Sequence, residues 1–347
     1  MAILNVLHLI GSATSDFYSD LSCLYASDCL ENTDDPSQYK FHIAYVSPDR
    51  TWRFPTSLDK AAIAESPALS LPEAIDLIVK LSIDVVIPQM FCIPGMTQYR
   101  ALFDLLNIPY VGNTADVMAL VADKAKTKAI VAAAGVDVPI GQVLSKGDRP
   151  KLQGLEFPIV IKPMNGDNSI GVTLVNHPTD FDAALNKAFE HSDSILIEKF
   201  IELGREVRCG IVVRSGELVC LPLEEYALNP ETKPIRSYVD KLNQTSDGSL
   251  GFAAKDNTQS WIVDPSDPLT AKVWEIAKQC HTALGCRHFS LFDFRIDPAG
   301  NPWFLEAGLF CSFSRKSVIS SMSKAAGTSL PELFQMMLEN VLLRNVD

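Results

Sequence analysis

The stretch Phe289–Ser317, FSLFDFRIDPAGNPWFLEAGLFCSFSRKS, decides how the rest of the chain is read. It reads as two strands around a turn, because Asp297-Pro298-Ala299-Gly300 places turn-forming residues between apolar runs. On the first strand Leu291, Asp293 and Arg295 share one face, and Phe292, Phe294 and Ile296 share the other. If Asp297 pairs with Pro302, Asp293 lies directly opposite Glu306, with Cβ atoms ~5 Å apart. Facing carboxylates repel and destabilise a hairpin, and a hard cation such as Mg²⁺ is the economical compensation. The competing reading shifts the register by one residue and leaves both acids solvated. The hairpin by itself does not choose between the two.

Around this stretch lies a chain of 347 residues, long enough for two or three domains with sizeable cores. Apolar residues make up 47 % and charged residues 21 %, which excludes a disordered chain. A net charge of −12 argues against a general nucleic-acid or anionic-membrane surface, while leaving room for a local basic site. The eight cysteines (23, 29, 92, 209, 220, 280, 286, 311) form no CxxC pair, and no histidine stands at zinc-finger spacing. Reduced thiols in a cytoplasmic protein are therefore expected. The first basic residue is Lys40, so no basic segment of a signal peptide is expected, and no apolar run approaches the ~20 residues of a membrane helix.

In chain order, residues 1–118 alternate strands with helices. Strand-like runs are Ile3–Ile10, which ends in Gly11-Ser12, then Phe41–Val46, Asp84–Pro88 and Ile108–Gly112. Helical patterns cover Ser19–Leu30, Leu71–Leu81 and Thr97–Leu106, and Arg50–Leu69 reads as irregular. Such alternation implies an open, largely parallel α/β sheet. One alanine-rich helix is expected over Asp116–Ala134, stopped by Gly135. Phe157–Val175 reads as strand, polar loop and strand, Pro178–Glu190 as a helix, and Ser194–Glu198 as a strand. Glu206–Val213 and Leu218–Leu221 form a hairpin, and residues 226–260 read as a long loop or lid. Asp267–Leu284, Val318–Ala326 and Leu330–Leu343 close the chain as helices.

Lys162 ends the apolar strand Pro158–Ile161, and a lysine held there requires an anionic partner. The loop Met164–Gly171 can wrap phosphate oxygens with backbone N–H groups, although it is not a Walker A loop. A polar hairpin loop with a snorkelling lysine explains the same residues. Glu198-Lys199-Phe200-Ile201 could offer backbone groups to an adenine edge, and Glu206 a carboxylate to ribose hydroxyls. An edge-strand salt bridge explains them equally well. Lys124, Lys162 and Lys241 would form a phosphoryl-transfer site only if they converge on a triphosphate.

Taken together, IVIKPMNGDNSIGV, LIEKFIELGRE and FDFRID…WFLEA with its serine-rich continuation resemble the ATP-grasp ligases, specifically the D-alanine–D-alanine ligase family. ALVADKAKTKAIVAAAG and IPYVG upstream are similar as well. The resemblance implies an ATP-grasp fold in three parts: an N-terminal α/β domain (1–118), a central ATP-grasp subdomain (119–203) and a C-terminal one (204–347) with a mobile loop at 226–260. It further implies that Lys124 and Lys162 contact ATP phosphates and that Glu198, Lys199 and Ile201 line the adenine pocket. Glu206 holds the ribose, and Lys241 reaches the γ-phosphate. Ser169 covers the phosphates, and Asp293 and Glu306 bind Mg²⁺, which Mn²⁺ can replace. Ser317 holds the carboxylate of the amine-donating substrate, and a homodimer is expected.

The departures concern the other substrate. Where the family carries Glu-x-Asn, this chain reads Glu306-Ala307-Gly308, and the family arginine two residues before the metal aspartate is Leu291. Cys311-Ser312-Phe313 replaces a Pro-Gly-Met turn, Met90–Thr97 replaces the loop around the first substrate, and Asp16 is the nearest acidic counterpart for gripping its ammonium. The N-terminal stretch NVLHLIGSATSDFYSDLSCLYA and the loop FLEAGLFCSFSRKS resemble the mycosporine-like amino acid ligases. That subgroup implies joining serine, threonine or glycine to mycosporine-glycine, with Arg295 or Arg315 supplying the missing charge. The alternatives are a D-alanine–D-alanine or other dipeptide ligase, and a degenerate nucleotide-binding regulator. No nucleic-acid or membrane partner is expected.

Overall fold

The computed structural model describes residues 3–148, 152, 154–164, 170–236, 242–244, 250–252 and 259–343. Three larger sheets follow one another along the chain. The N-terminal sheet has the order Trp52–Arg53, Tyr39–Val46, Leu4–Gly11, Val85–Pro88; its three longer strands are parallel and the short edge strand is antiparallel. Gly11 ends the first strand at φ +99°, where a Cβ would lie 2.2 Å from the Val46 carbonyl oxygen, so only glycine fits this close approach. The expected parallel α/β unit is present.

The central sheet is antiparallel, in the order Gly141–Ser145, Ser194–Lys199, Ile159–Pro163, Thr173–Val175. Gly141–Ser145 escaped the reading of the sequence because only Leu144 in it is buried, leaving no apolar run to detect. The C-terminal sheet is also antiparallel and runs Ser260–Ile262, Glu224–Tyr226, Arg205–Arg214, Phe289–Ile296, Pro302–Ala307, with Glu217–Cys220 hairpinned onto Arg205–Arg214. Phe292, Phe294 and Phe304 are fully buried on one face of it, packed against Val273, Ala277 and Cys280 of the helix Pro268–Ala283. Truncating any of these rings would cost about 3–5 kcal/mol. That rigidity holds the opposite face of the same strands in place. The C-terminal helix Leu330–Leu343 returns to the N-terminal sheet, where Phe334 packs edge-on against Tyr39 and Phe41.

Several expectations need correction. The single helix over Asp116–Ala134 is two, Ala115–Ala122 and Lys124–Ala133. The break is at Asp123, whose carboxylate accepts from the N–H groups of Ala125 (3.1 Å) and Lys126 (3.0 Å) and so caps a new helix. Arg50–Leu69 contains the edge strand and a short helix, Lys60–Glu65, with no buried residue to mark it in the pattern. Ile108–Gly112 contributes a single bridge, Tyr110 to Val86, rather than a strand. Residues 226–260 are not one loop: Tyr226 and Ser260 end strands of the C-terminal sheet, and Leu242–Gln244 pairs with Leu250–Phe252. No helix among the described residues is long and apolar enough to cross a membrane. All eight cysteines are free thiols.

Candidate active site

Asp293 does face Glu306, but through a register the sequence did not contain. The turn pairs Ile296 with Pro302 and Phe294 with Phe304, one step away from the expected pairing of Asp297 with Pro302. A β-bulge then leaves Leu305 unpaired and brings Asp293 opposite Glu306. The bulge cancels the slip.

The face opposite the phenylalanines is organised by the third strand, Arg205–Arg214. Its register sets Glu206 against Arg295, Arg208 against Asp293, and Gly210 against Leu291. Side chains directly opposite on a sheet share a face, so rows of opposite charge form across the strands. Arg208 donates to Asp293 through Nε to Oδ1 and through Nη2 to Oδ2 (2.9 Å), and Arg236 approaches Oδ2 at 3.5 Å. Repulsion between the two carboxylates is therefore relieved in this structure by guanidinium groups. The compensating cation stands on a third strand, outside the two-stranded hairpin. Arg208 is nevertheless legible as the i+2 neighbour of Glu206, on the same strand face.

A second ionic cluster lies on the central sheet. Lys162 Nζ donates to Glu198 Oε1 at 2.6 Å and Lys128 Nζ to Glu198 Oε2 at 2.5 Å, with all three side chains buried. Burial disfavours the Glu198 charge, yet the two ammonium groups hold its carboxyl below the ordinary range. Burial pushes the Lys128 ammonium down to about 8 against the attraction of Glu198, and Lys162 beside it acts in the same direction. Two cations against one anion leave the cluster with an excess positive charge, suited to phosphate oxygens. Lys128 went unnoticed in the sequence, although i+4 spacing from Lys124 sets both on one helix face.

Two cavities meet beside these clusters. The smaller, about 90 Å³, is lined by Lys162, Glu198, Lys199, Ile201, Glu206 and Asp293, among others. The larger, about 450 Å³, is lined by Tyr18, Tyr25, Phe91 and Phe310 and by Lys124, Glu306 and Ser317, among others. Tyr25 and Phe91 lie 5.3 Å apart between ring centroids, and Phe91 and Phe310 5.4 Å. Arg236, Leu305 and Glu306 line both cavities and so form the partition between them.

The sequence-derived residues are thus partly reunited. Lys162, Glu198, Lys199, Ile201, Glu206, Asp293 and Glu306 surround the smaller cavity, whereas Lys124 and Ser317 face the larger. Ser317 also caps the helix Val318–Ala325, its Oγ accepting from Ser320 N–H at 3.3 Å. Ser169 and Lys241 lie outside the described residues. Glu206 is paired with Arg295 Nη2 at 2.5 Å, and Arg295 Nη1 donates to the Ile201 carbonyl at 3.2 Å. Arg295 is held in that row and lines the smaller cavity, not the larger one. Arg315 points away, 59 % exposed, and donates to Asp28 (Nη2–Oδ1 2.6 Å) on the helix Asp16–Thr33. Asp16, exposed at the first turn of that helix, is also not a lining residue; Tyr18, Leu21 and Tyr25 are.

Asp293 and Glu306 offer the oxygen donors that Mg²⁺ prefers. Gly308 adds no side-chain ligand, and no group of three or more His, Cys, Asp or Glu side chains able to hold a metal occurs among the described residues. Asp293 and Glu306 would be the residues to hold a Mg²⁺ ion, with oxygens from outside the chain, and in this structure both Asp293 oxygens accept from Arg208.

A family model described as D-ala D-ala ligase C-terminus matches residues 132–339. The vancomycin B-type resistance protein VanB of Enterococcus faecalis is 30 % identical over 237 residues, covering 67 % of this chain and 66 % of that protein. The D-alanine–D-alanine ligase of Trichlorobacter lovleyi is 30 % identical over 243 residues, covering 68 % and 71 %. The VanG D-Ala:D-Ser ligase structure from Enterococcus faecalis superposes with a TM-score of 0.76 at 21 % identity, covering 98 % of this chain and 100 % of that one. The Bacillus anthracis D-alanine–D-alanine ligase complexed with ATP gives 0.72 at 21 % identity, covering 99 % of each chain. The sheets, the paired ionic clusters and these likenesses agree: the chain belongs to the D-alanine–D-alanine ligase family and has its ATP-grasp fold.

Proposed function

We propose that the protein is an ATP- and Mg²⁺-dependent C–N ligase that phosphorylates an oxygen of one substrate and joins an amino acid's amine at the activated carbon. The supporting observation is the Lys162–Glu198 pair, which is backed by Lys128 and lines a cavity shared with Asp293 and Glu306. In this reading Lys162 and Lys128 exchange Glu198 for nucleotide phosphates, Lys199 and Ile201 border the base, and Glu206 stays beside the ribose. Mg²⁺, when bound at Asp293 and Glu306, would offset phosphate charge. Lys124 would meet the nucleotide from the larger cavity. Ser317, at a helix N-terminus, would receive the amino acid's carboxylate. Ser169 and Lys241 retain their proposed phosphate roles on the resemblance alone.

For the electrophile we infer mycosporine-glycine. Support comes from the aromatic wall of Tyr25, Phe91 and Phe310, which suits the face of a conjugated ring, and from Leu291 and Gly308 beside the carboxylate pair. The second reading, a D-alanine–D-alanine or D-alanine–D-serine ligase, has more direct support from the comparisons, because relatives and superposed structures carry those names. Purified protein with ATP, Mg²⁺ and an amino-acid panel, with or without mycosporine-glycine, separates the two. ADP release accompanied by a red-shifted ultraviolet chromophore only with mycosporine-glycine supports the first reading. ADP release with D-alanine alone replaces it with the second, and nucleotide binding without turnover under any condition refutes both.

A further inference from the structure

Although the chain carries a net charge of −12, the larger cavity is lined by Lys124, Arg208, Lys233, Arg236 and Lys316 against one acid, Glu306, among the described residues. Two of these cations stand where the cavities meet. Arg236 lines both, and its guanidinium lies 3.7 Å from the centroid of the Tyr226 ring, with the Arg208 guanidinium 5.5 Å from the same ring. Both guanidiniums also share Asp293. Glu224, which accepts from the Tyr226 hydroxyl at 2.6 Å, adds a second negative charge beside Arg208, so the protein holds both guanidiniums in place on the cavity wall. The Arg236 Nε is buried without a hydrogen-bond partner among the described residues, which leaves one donor for a bound group.

We propose that Arg208 and Arg236, held on Tyr226 and Asp293, are catalytic residues that carry the phosphoryl group across the partition between the two cavities. The inference rests on the ligase reading but not on which electrophile is used. In the step concerned, the bond from the γ-phosphorus to the β,γ-bridging oxygen breaks and its electron pair leaves on ADP. A new bond forms between phosphorus and the electrophile's oxygen. Charge gathers on the three peripheral oxygens, where planar guanidinium donors match it; the arginines move no proton. Leu291, opposite Gly210 in the ladder, contributes no charge there, and the cations come from the neighbouring strand and from residue 236.

The test is calorimetric titration of ADP with Mg²⁺ and either mycosporine-glycine or D-alanine, with and without aluminium fluoride as a planar phosphoryl mimic. The wild type should bind ADP more tightly when the mimic is present. Arg208→Lys and Arg236→Lys should retain thermal midpoint and ADP affinity but lose about 100-fold of that tightening, the usual effect of removing a donor aimed at transition-state charge. A merely structural counter-ion to Asp293 would weaken ADP binding equally with and without the mimic. Arg236→Lys leaves the Arg208–Asp293 pair intact, so it remains informative if Arg208→Lys misfolds. Full tightening in both variants overturns the assignment alone. Absence of tightening in the wild type with either acceptor overturns it together with the ligase reading.

Discussion

Replacing Glu198 by glutamine removes the one anion between Lys128 and Lys162 while keeping nearly the same shape. Both ammonium groups then remain buried without the carboxylate to which they donate. Breaking a buried ion pair from one side costs about 3–5 kcal/mol. With a shift of about 2–4 °C per kcal/mol in folding units of 150–250 residues, the melting midpoint at pH 7 should fall by on the order of 10 °C. The pH dependence gives the sign. Burial already holds the Lys128 ammonium near 8, below its ordinary value, so between about pH 8 and 10.5 the unfolded chain binds more protons and stability gains with rising pH. Without Glu198 the ammonium is depressed further, and this gain begins at lower pH. The deficit of Glu198→Gln should therefore be large at pH 7 and shrink by pH 9.5. Differential scanning calorimetry of both proteins at the two pH values checks this. An unchanged midpoint at pH 7, or a deficit of equal size at both, would refute the buried-clamp reasoning.

Glu306→Gln should abolish turnover while nucleotide binding survives in part, because the proposed metal site loses a carboxylate charge but the lysine clamp remains; full activity would remove Glu306 from that proposed site. Phe91→Ala should raise KM for the ring electrophile by a factor of about 2–10, from a ring contact of about 0.5–1.5 kcal/mol, and leave KM for ATP unchanged. An equal change in both KM values would count against a ring-binding wall. Arg315→Ala should leave kcat within about twofold, since surface pairs contribute little and its partner Asp28 lies on the helix Asp16–Thr33. A hundredfold loss of kcat, with the melting midpoint intact, would return Arg315 to the reaction.

Legibility differed from residue to residue. Lys162 could be read because a lysine ending an apolar strand needs an anion, and Glu198 is that anion. Lys128 could not be ranked above Lys124 or Lys126, because their helix begins at Lys124, capped by Asp123, and its orientation depends on packing. Arg295 and Arg315 illustrate the limit of reading charge by proximity in sequence. One is neutralised by its cross-strand neighbour Glu206, and the other by Asp28, 287 positions away.

By itself the sequence determined the strands and helices that carry strong apolar periodicity, the two faces of Phe289–Ile296, and the presence of one carboxylate on each strand of a hairpin. Those features follow from local geometry, in which side-chain direction alternates with fixed period. Tertiary structure alone decided three further matters. The Leu305 bulge restored the pairing of Asp293 with Glu306 after a turn register one step off. The third strand supplied Arg208, so Asp293 is paired with a guanidinium group. Packing of the helix Asp16–Thr33 against the loop after Ala307 faced Tyr18 and Tyr25 into the cavity and left Asp16 outside. Each depends on which strand or helix lies alongside another, and nonlocal pairing is not encoded in the spacing of any single segment.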